Sequence, residues 1–321
     1  MENTRKTIIE LLRTKNTFAI LPHINPDADA IGSCYAVQHV LEAIGKRAVV
    51  FVEEELPSYL SFLEGESTVF TQAEAFDVCL CIDCGDLGRT GVRSVLLDAA
   101  QVSVNIDHHY ANTCFAQVNL VDAGASSSGE ICYNLLVQMG AKITPVIASC
   151  LYSAICADTG GFRYSNTSAA TMRAAAGLLE YGVDIARINK ILFDTESYSA
   201  FQLKGEIIRR VELYCGGTVG LVCVDKELLH SYGVDSKEID NLVNLPRRIE
   251  GVEIAVALKE SDKGIKISLR SNEWADVSKI AERIGGGGHV RAAGALMDMD
   301  LAAAKCLLLQ EIKKAVGEQA E

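Results

Sequence analysis

Residues Thr17 to Asp29 read TFAILPHINPDAD, an apolar run that breaks at a proline into a loop carrying His23, Asp27 and Asp29. Thr17 to Leu21 has the length and apolar character of a buried strand. Apolar residues at Ile31, Tyr35, Ala36, Val40 and Leu41 predict a helix over 29–44. Further short apolar runs, β-branched in part, occupy 47–52, 78–82 and 102–106. Ser127-Ser-Gly-Glu130 has capping-box spacing ahead of a helix over 131–139, and Pro145 opens another that runs to Cys156. Strands interleaved with helices predict an α/β fold around a parallel sheet with flanking helices on both faces. From 167 to 211 the pattern turns helical, through 169–181, 184–192 and 197–211. Strand signals return at 218–224, 252–258 and 265–270. A helix over 275–284, a glycine run, a strand near Ala295 and a helix over 301–316 follow. The expected organisation is an α/β catalytic domain over 1–190, a helical linker over 191–210 and a smaller α/β domain over 211–321.

The bulk composition narrows the class of partner. With 321 residues the chain can bury two cores, and 49% hydrophobic with 22% charged residues is ordinary globular composition. No apolar run approaches the ~18 residues of a membrane span. The N-terminal Met1-Glu2-Asn3-Thr4-Arg5-Lys6 leads into an amphipathic helix, unlike a signal peptide. Eleven scattered cysteines, an odd number set mostly in apolar segments, fit a reducing cytoplasm better than a disulfide framework. A formal charge of −12 argues against long duplex nucleic acid as the ligand, since such proteins carry a basic stripe. It leaves room for a short phosphorylated substrate whose charge is met locally by metal ions. A homodimer is compatible with the chain, but no pattern requires one.

Four motifs carry the chemistry: His23-Ile-Asn-Pro-Asp27-Ala-Asp29, Asp83 in Cys81-Ile-Asp-Cys84, Asp107-His108-His109, and Asp158-Thr-Gly-Gly161. Three follow predicted strands, so they fall at the carboxyl edge of the sheet, where open parallel sheets bind ligands. Asp158 arrives from a helix end, beside Gly160 and Gly161. Asp27, Asp29, Asp83 and Asp158 would repel one another in a confined site unless divalent cations cancelled them. Two cations suit that charge better than one, and Asp83 is the natural bridge between them. Oxygen-rich ligation with some imidazole favours manganese, with magnesium or cobalt as alternatives, over a thiolate-rich zinc site. Such a pair activates water for attack on a phosphate ester. Each motif also has a plainer reading. Asn-Pro-Asp is ordinary turn chemistry, a strand-end aspartate often caps the next helix, and Cys81-Ile-Asp-Cys84 lacks the second pair a zinc site needs. His39 and His230 lie outside the motifs and read as structural.

At these motifs the chain resembles the DHH phosphoesterase superfamily. The resemblance is carried by Asn105-Ile-Asp-His-His-Tyr-Ala-Asn112, by 119–130 and by Thr159-Gly-Gly-Phe-Arg-Tyr-Ser-Asn-Thr167, which look like the oligoribonuclease and pAp-phosphatase branch. It implies that His23, Asp27 and Asp83 hold one manganese, while Asp29, Asp83, His108 and Asp158 hold the other. His109 would face the scissile phosphate, and Asp107 would orient a histidine. The implied activity is hydrolysis of short oligoribonucleotides and of 3′-phosphoadenosine 5′-phosphate. Ser128 stands where threonine is common. The lysine- and arginine-rich C-terminal signature of family II pyrophosphatases is missing.

The run Gly285-Gly-Gly-Gly-His289-Val-Arg291 is similar to the glycine-rich signature of the associated substrate domain. Its physical reading is an open backbone nest, formed at Gly286, Gly287 and Gly288, that binds an anion beside Arg270, His289 and Arg291. A tight turn packed on a helix is the bland alternative. Two rival functions stay open here. One is a cyclic di-AMP or linear dinucleotide phosphodiesterase. The other is a nucleotide-binding regulator without catalysis, whose mark would be a missing ligand.

Overall fold

Phe18 through Leu21 are wholly buried, and the strand they form lies inside a six-stranded sheet in which every pairing is parallel. The computed structural model describes residues 2–239 and 241–317. They form two compact units, Met1–Thr195 and Glu196–Glu321. The strands of the first unit are β1 (Thr17–Leu21), β2 (Arg47–Val52), β3 (Ser67–Val69), β4 (Val78–Ile82), β5 (Val102–Asp107) and β6 (Val118–Val121). Their order is β3-β2-β1-β4-β5-β6. The chain builds outward from β1 to β3, then returns to start β4 on the other side of β1. Loops leaving β1 and β4 therefore diverge to opposite faces and open a crevice between them, the switch point where such sheets take ligands.

The helix Ala28–Ala43 is buried at thirteen of its sixteen positions, more than the one apolar stripe of a surface helix requires. It is packed between the sheet and two more helices, Ser128–Met139 and Pro145–Asp158. Gly32 makes the close crossing possible, because a Cβ there would sit 2.5 Å from the Cys150 carbonyl oxygen. This packing brings the first turn of the helix, with Asp29, and the last turn of Pro145–Asp158, with Asp158, to one end of the sheet.

The second unit is a mixed sheet of β7 (Glu212–Tyr214), β8 (Val219–Val224), β9 (Ile254–Ser261), β10 (Gly264–Ser271), β11 (Gly287–His289) and β12 (Ala292–Met297), ordered β11-β12-β10-β9-β8-β7. Among the described residues of this unit, only β8 and β9 pair in parallel. β8 feeds a core on each face: Val219 and Leu221 pack with Leu308 and Ile312, while Val222 and Val224 pack with Leu203 and Ile207. The segment expected as a linker, 191–210, divides between the units. Ile185–Phe193 ends the first, whereas Tyr198–Arg209 places Ala200, Leu203 and Ile207 in a core of the second. Among the described residues no helix is long and apolar enough to cross a membrane.

Candidate active site

Asp27 caps the helix Ala28–Ala43: its Oδ1 accepts from the Asp29 and Ala30 amides at 3.0 and 3.1 Å. One carboxylate oxygen is thereby engaged, and the orientation of the group is set. Asp29 follows inside the first turn, buried. Asp83 leaves β4 with φ of 62°, a left-handed conformation unusual for any residue but glycine, and its amide donates to the Ile106 carbonyl at 2.9 Å. A strained backbone persists where the surroundings over-determine it. Here the strain turns a fully buried carboxylate back into the crevice between β1 and β4.

The four motifs converge. His23 Nε2 lies 3.5 Å from Asp83 Oδ2 and 3.9 Å from Asp27 Oδ1. His108 Nε2 lies 3.3 Å from Asp158 Oδ2, 3.6 Å from Asp83 Oδ1 and 3.9 Å from Asp29 Oδ2. The two oxygens of Asp83 thus face two different groups of donors. Among the described residues, three sets of side chains have ligand atoms close enough together to hold an ion: His23, Asp27 and Asp83; Asp29, His108 and Asp158; and Asp83, His108 and His109. Most of these separations are too long for hydrogen bonds. They suit neighbouring ligands on a shared cation, where bonds of about 2.1 Å at right angles place donor atoms about 3 Å apart. The His23 Nδ1 contact with the Ile24 carbonyl, 2.7 Å, holds the proton on that nitrogen and leaves Nε2 free as a lone-pair donor.

The charge states fit the same picture. Burial raises the carboxyls of Asp29 and Asp158 well above their ordinary range and that of Asp83 above it, and charge repulsion within the cluster adds to the effect. Such a cluster calls for cationic compensation. The adjacent histidines move in opposite directions. Burial lowers His108, which favours a neutral ring with a lone pair to give. The hydrogen bond to Asp107 Oδ1, 2.7 Å, raises His109 to about 9, so it is an imidazolium at neutral pH. Burial alone would raise Asp107, but the bonds from His109 and Asn112 outweigh it and hold that carboxyl below its ordinary value. Asn112 Nδ2 donates to Asp107 Oδ2, and both Asn112 and Asn105 donate to the Cys84 carbonyl at 3.1 Å. The Asp107–His109 pair and the strained Asp83 turn are therefore fixed by one amide network.

Sequence reasoning missed the residues that hold these groups from behind. Ser128 N and Gly129 N each donate to one oxygen of Asp29 at 2.9 Å, and Ser128 Oγ donates to Asp83 Oδ1 at 2.9 Å. The capping-box spacing was visible, but only half of the box forms. Ser127 Oγ accepts from the Glu130 amide, whereas the Glu130 carboxylate is buried and accepts from Ser126 N, Ser126 Oγ and Thr171 Oγ1. Gly129 is also a close-approach position, with a built Cβ falling 2.5 Å from the Ala154 Cβ. Ser128→Ala should therefore weaken divalent-metal binding by ~10–100-fold in calorimetry with the fold kept, and Ser128→Thr should restore it. Wild-type affinity in Ser128→Ala would remove the hydroxyl from this role.

Arg270, Gly286, Gly287, Gly288, His289 and Arg291 form a separate group on the second unit. The open glycine nest expected there is not what forms. Gly285, at φ of 80°, ends the helix Val277–Arg283: its amide donates to Glu282 O, and the Gly286 amide reaches Ala281 O, as in a Schellman motif. Gly287, Gly288 and His289 then become the edge strand β11. Gly286 and Gly288 are needed for close packing on β12, since a Cβ at either would run into the backbone of 292–295. His289 pairs with Ala292, which pairs with Arg270, so both basic residues stand on one row across the sheet. Arg291 Nη1 donates to the Ala275 carbonyl at 2.9 Å. Cys81 and Cys84 are buried free thiols, the first raised by its contact with Cys79 and by burial, the second chiefly by burial, and among the described residues neither joins a donor set.

A doubly wound parallel sheet with carboxylate and imidazole donors at its switch point defines a metal-dependent phosphoesterase class. Residues 17–155 match the DHH family, N-terminal domain, and residues 221–318 match the DHHA1 domain. The chain belongs to the DHH family of phosphoesterases. It is 31% identical, over 96% of its length and 93% of the relative's, to the bifunctional oligoribonuclease and PAP phosphatase NrnA of Thermus thermophilus. It is 25% identical over 94% of its length to the cyclic-di-AMP phosphodiesterase PdeA of Listeria monocytogenes, of which it spans only 48%. Among solved structures, an exopolyphosphatase-related protein from Bacteroides fragilis superposes with a TM-score of 0.92 at 25% identity, covering 100% of this chain and 98% of that one.

Proposed function

We propose that this protein is a two-cation, manganese-dependent phosphodiesterase and phosphatase that degrades short oligoribonucleotides to mononucleotides and dephosphorylates 3′-phosphoadenosine 5′-phosphate. The single observation that carries the two-cation reading is Asp83, whose Oδ2 faces His23 and whose Oδ1 faces His108. His23, Asp27 and Asp83 would hold one ion, and Asp29, Asp83, His108 and Asp158 the other. When bound, the cations supply Lewis acidity that activates water and neutralises phosphoryl charge. The protein's own groups do the rest. Ser128, Gly129 and the Asp27 cap hold the carboxylates in place before any ligand arrives, so little reorganisation is needed. His109, held as imidazolium by Asp107, stands ready to donate to a phosphoryl or leaving oxygen. Arg270, His289 and Arg291 would take a phosphate of the substrate. The free, mostly buried thiols support residence in a reducing compartment such as the cytoplasm.

The likeness to a cyclic-di-AMP phosphodiesterase favours a second reading. Product analysis separates the two. Purified protein in manganese should release mononucleotides from a labelled RNA dinucleotide and 5-mer, and phosphate from 3′-phosphoadenosine 5′-phosphate, faster than it opens cyclic di-AMP. Turnover of cyclic di-AMP with the linear RNAs left intact would overturn the leading assignment in favour of the second.

A further inference from the structure

The second unit buries a carboxylate to immobilise a surface loop. Glu253 is only 5% exposed, and it accepts from three consecutive amides: Glu273 N at 3.1 and 2.9 Å, Trp274 N at 2.7 Å and Ala275 N at 2.6 Å. Burying a carboxylate is costly unless it is saturated with hydrogen bonds. Placing one beneath an exposed loop makes sense when that loop has to keep its shape. Asn272 adds a second tie. Its Nδ2 donates to the Val252 and Arg247 carbonyls at 2.7 and 3.1 Å, and its Oδ1 accepts from Arg247 Nε at 2.9 Å. Arg291 Nη1 adds a third, at the Ala275 carbonyl. The loop so braced displays Trp274, the only tryptophan of the chain, at 44% exposure. It also runs beside the glycine-rich segment, since the Val277 amide donates to Val290 O and the Ser271 amide to Arg291 O.

We infer that Trp274 is a stacking platform for a nucleobase of the bound oligonucleotide. An exposed indole on a braced loop matches how single-stranded nucleic acid is held by base stacking without reading sequence. A core-filling tryptophan would not stand nearly half exposed on a loop. Bracing of the backbone means that little loop entropy is lost when a base stacks. The inference rests on the reading of the substrate as short RNA, and it adds the element that would recognise the base.

Because there is one tryptophan, its emission reports this position alone. In EDTA, 5′-phosphorylated diadenylate should quench the emission of the full-length protein saturably, whereas ribose 5-phosphate, which lacks the base, should not. In manganese, Trp274→Ala and Trp274→Leu should raise KM for the dinucleotide about tenfold or more, with a smaller change in kcat, and Trp274→Phe should recover most of the loss. Emission unmoved at diadenylate concentrations that saturate hydrolysis, or a wild-type KM in Trp274→Leu, would overturn the platform and leave the substrate assignment standing. Saturable quenching in a protein that cleaves no linear RNA would do the reverse.

Discussion

Asp83→Asn should lower kcat/KM by roughly 1,000-fold or more, about 4 kcal/mol of transition-state stabilisation, and should abolish tight manganese binding. Its metal-free form should nevertheless stay folded. Asparagine tolerates the left-handed backbone of residue 83 better than alanine does, and its amide can keep a hydrogen bond with Ser128. What it cannot do is present two anionic oxygens to two donor groups. The stability effect has a definite sign. The folded carboxyl of Asp83 is raised, first by burial, so its contribution to stability is full below the ordinary carboxylate pKa and is lost as pH rises through the folded value. At neutral pH and without metal, wild-type protein carries that penalty and Asp83→Asn does not. The variant should therefore melt at or above wild type in EDTA, and below it in manganese. Calorimetry under both conditions checks this, and near-normal turnover by the variant would end the bridging assignment.

Removal of divalent ions from wild-type protein should have the next largest effect. An ion present at 100 times its Kd stabilises by ~2.7 kcal/mol, which in a unit of this size is a shift of roughly 5–10 °C in Tm. The shift should grow between pH 6 and pH 8. Asp29 and Asp158 are raised well above ordinary carboxyls, so the metal-free protein loses their stabilising contribution as pH rises, while competition from protons for the ligands falls. His109 runs alongside. Raised to about 9, it contributes fully below the ordinary histidine pKa and loses that contribution as pH climbs through 9. Equal melting temperatures with millimolar manganese and with EDTA at pH 8 would contradict the cation site.

Much of the scaffold was legible because each long apolar run stops at a turn or a charge. The strands at 17–21, 47–52, 78–82 and 102–106, and most helices, needed only periodicity and caps. The short strands Ser67–Val69, Val118–Val121, Glu212–Tyr214 and Gly287–His289 were not, since segments of three or four residues become strands only when a neighbour pairs with them. The glycine run misled for a related reason. Freedom from side chains can serve an open anion nest or a tight backbone crossing, and only the position of β12 shows that the second was used. Ser128 and Gly129 went unread as supports of Asp29 because 99 and 100 residues separate them from it along the chain.

The sequence alone determined the inventory of donors and their place at element ends, because carboxylates and imidazoles cannot end a buried strand except where it reaches solvent or a ligand. The tertiary structure decided how those donors divide. Strand order placed β1 beside β4, and the left-handed turn at Asp83 aimed one oxygen to each side of the crevice. It also decided that His108 is the neutral ring and His109 the charged one, although the two are neighbours in sequence. Protonation follows burial and the nearest partner, and those are distances in space rather than along the chain.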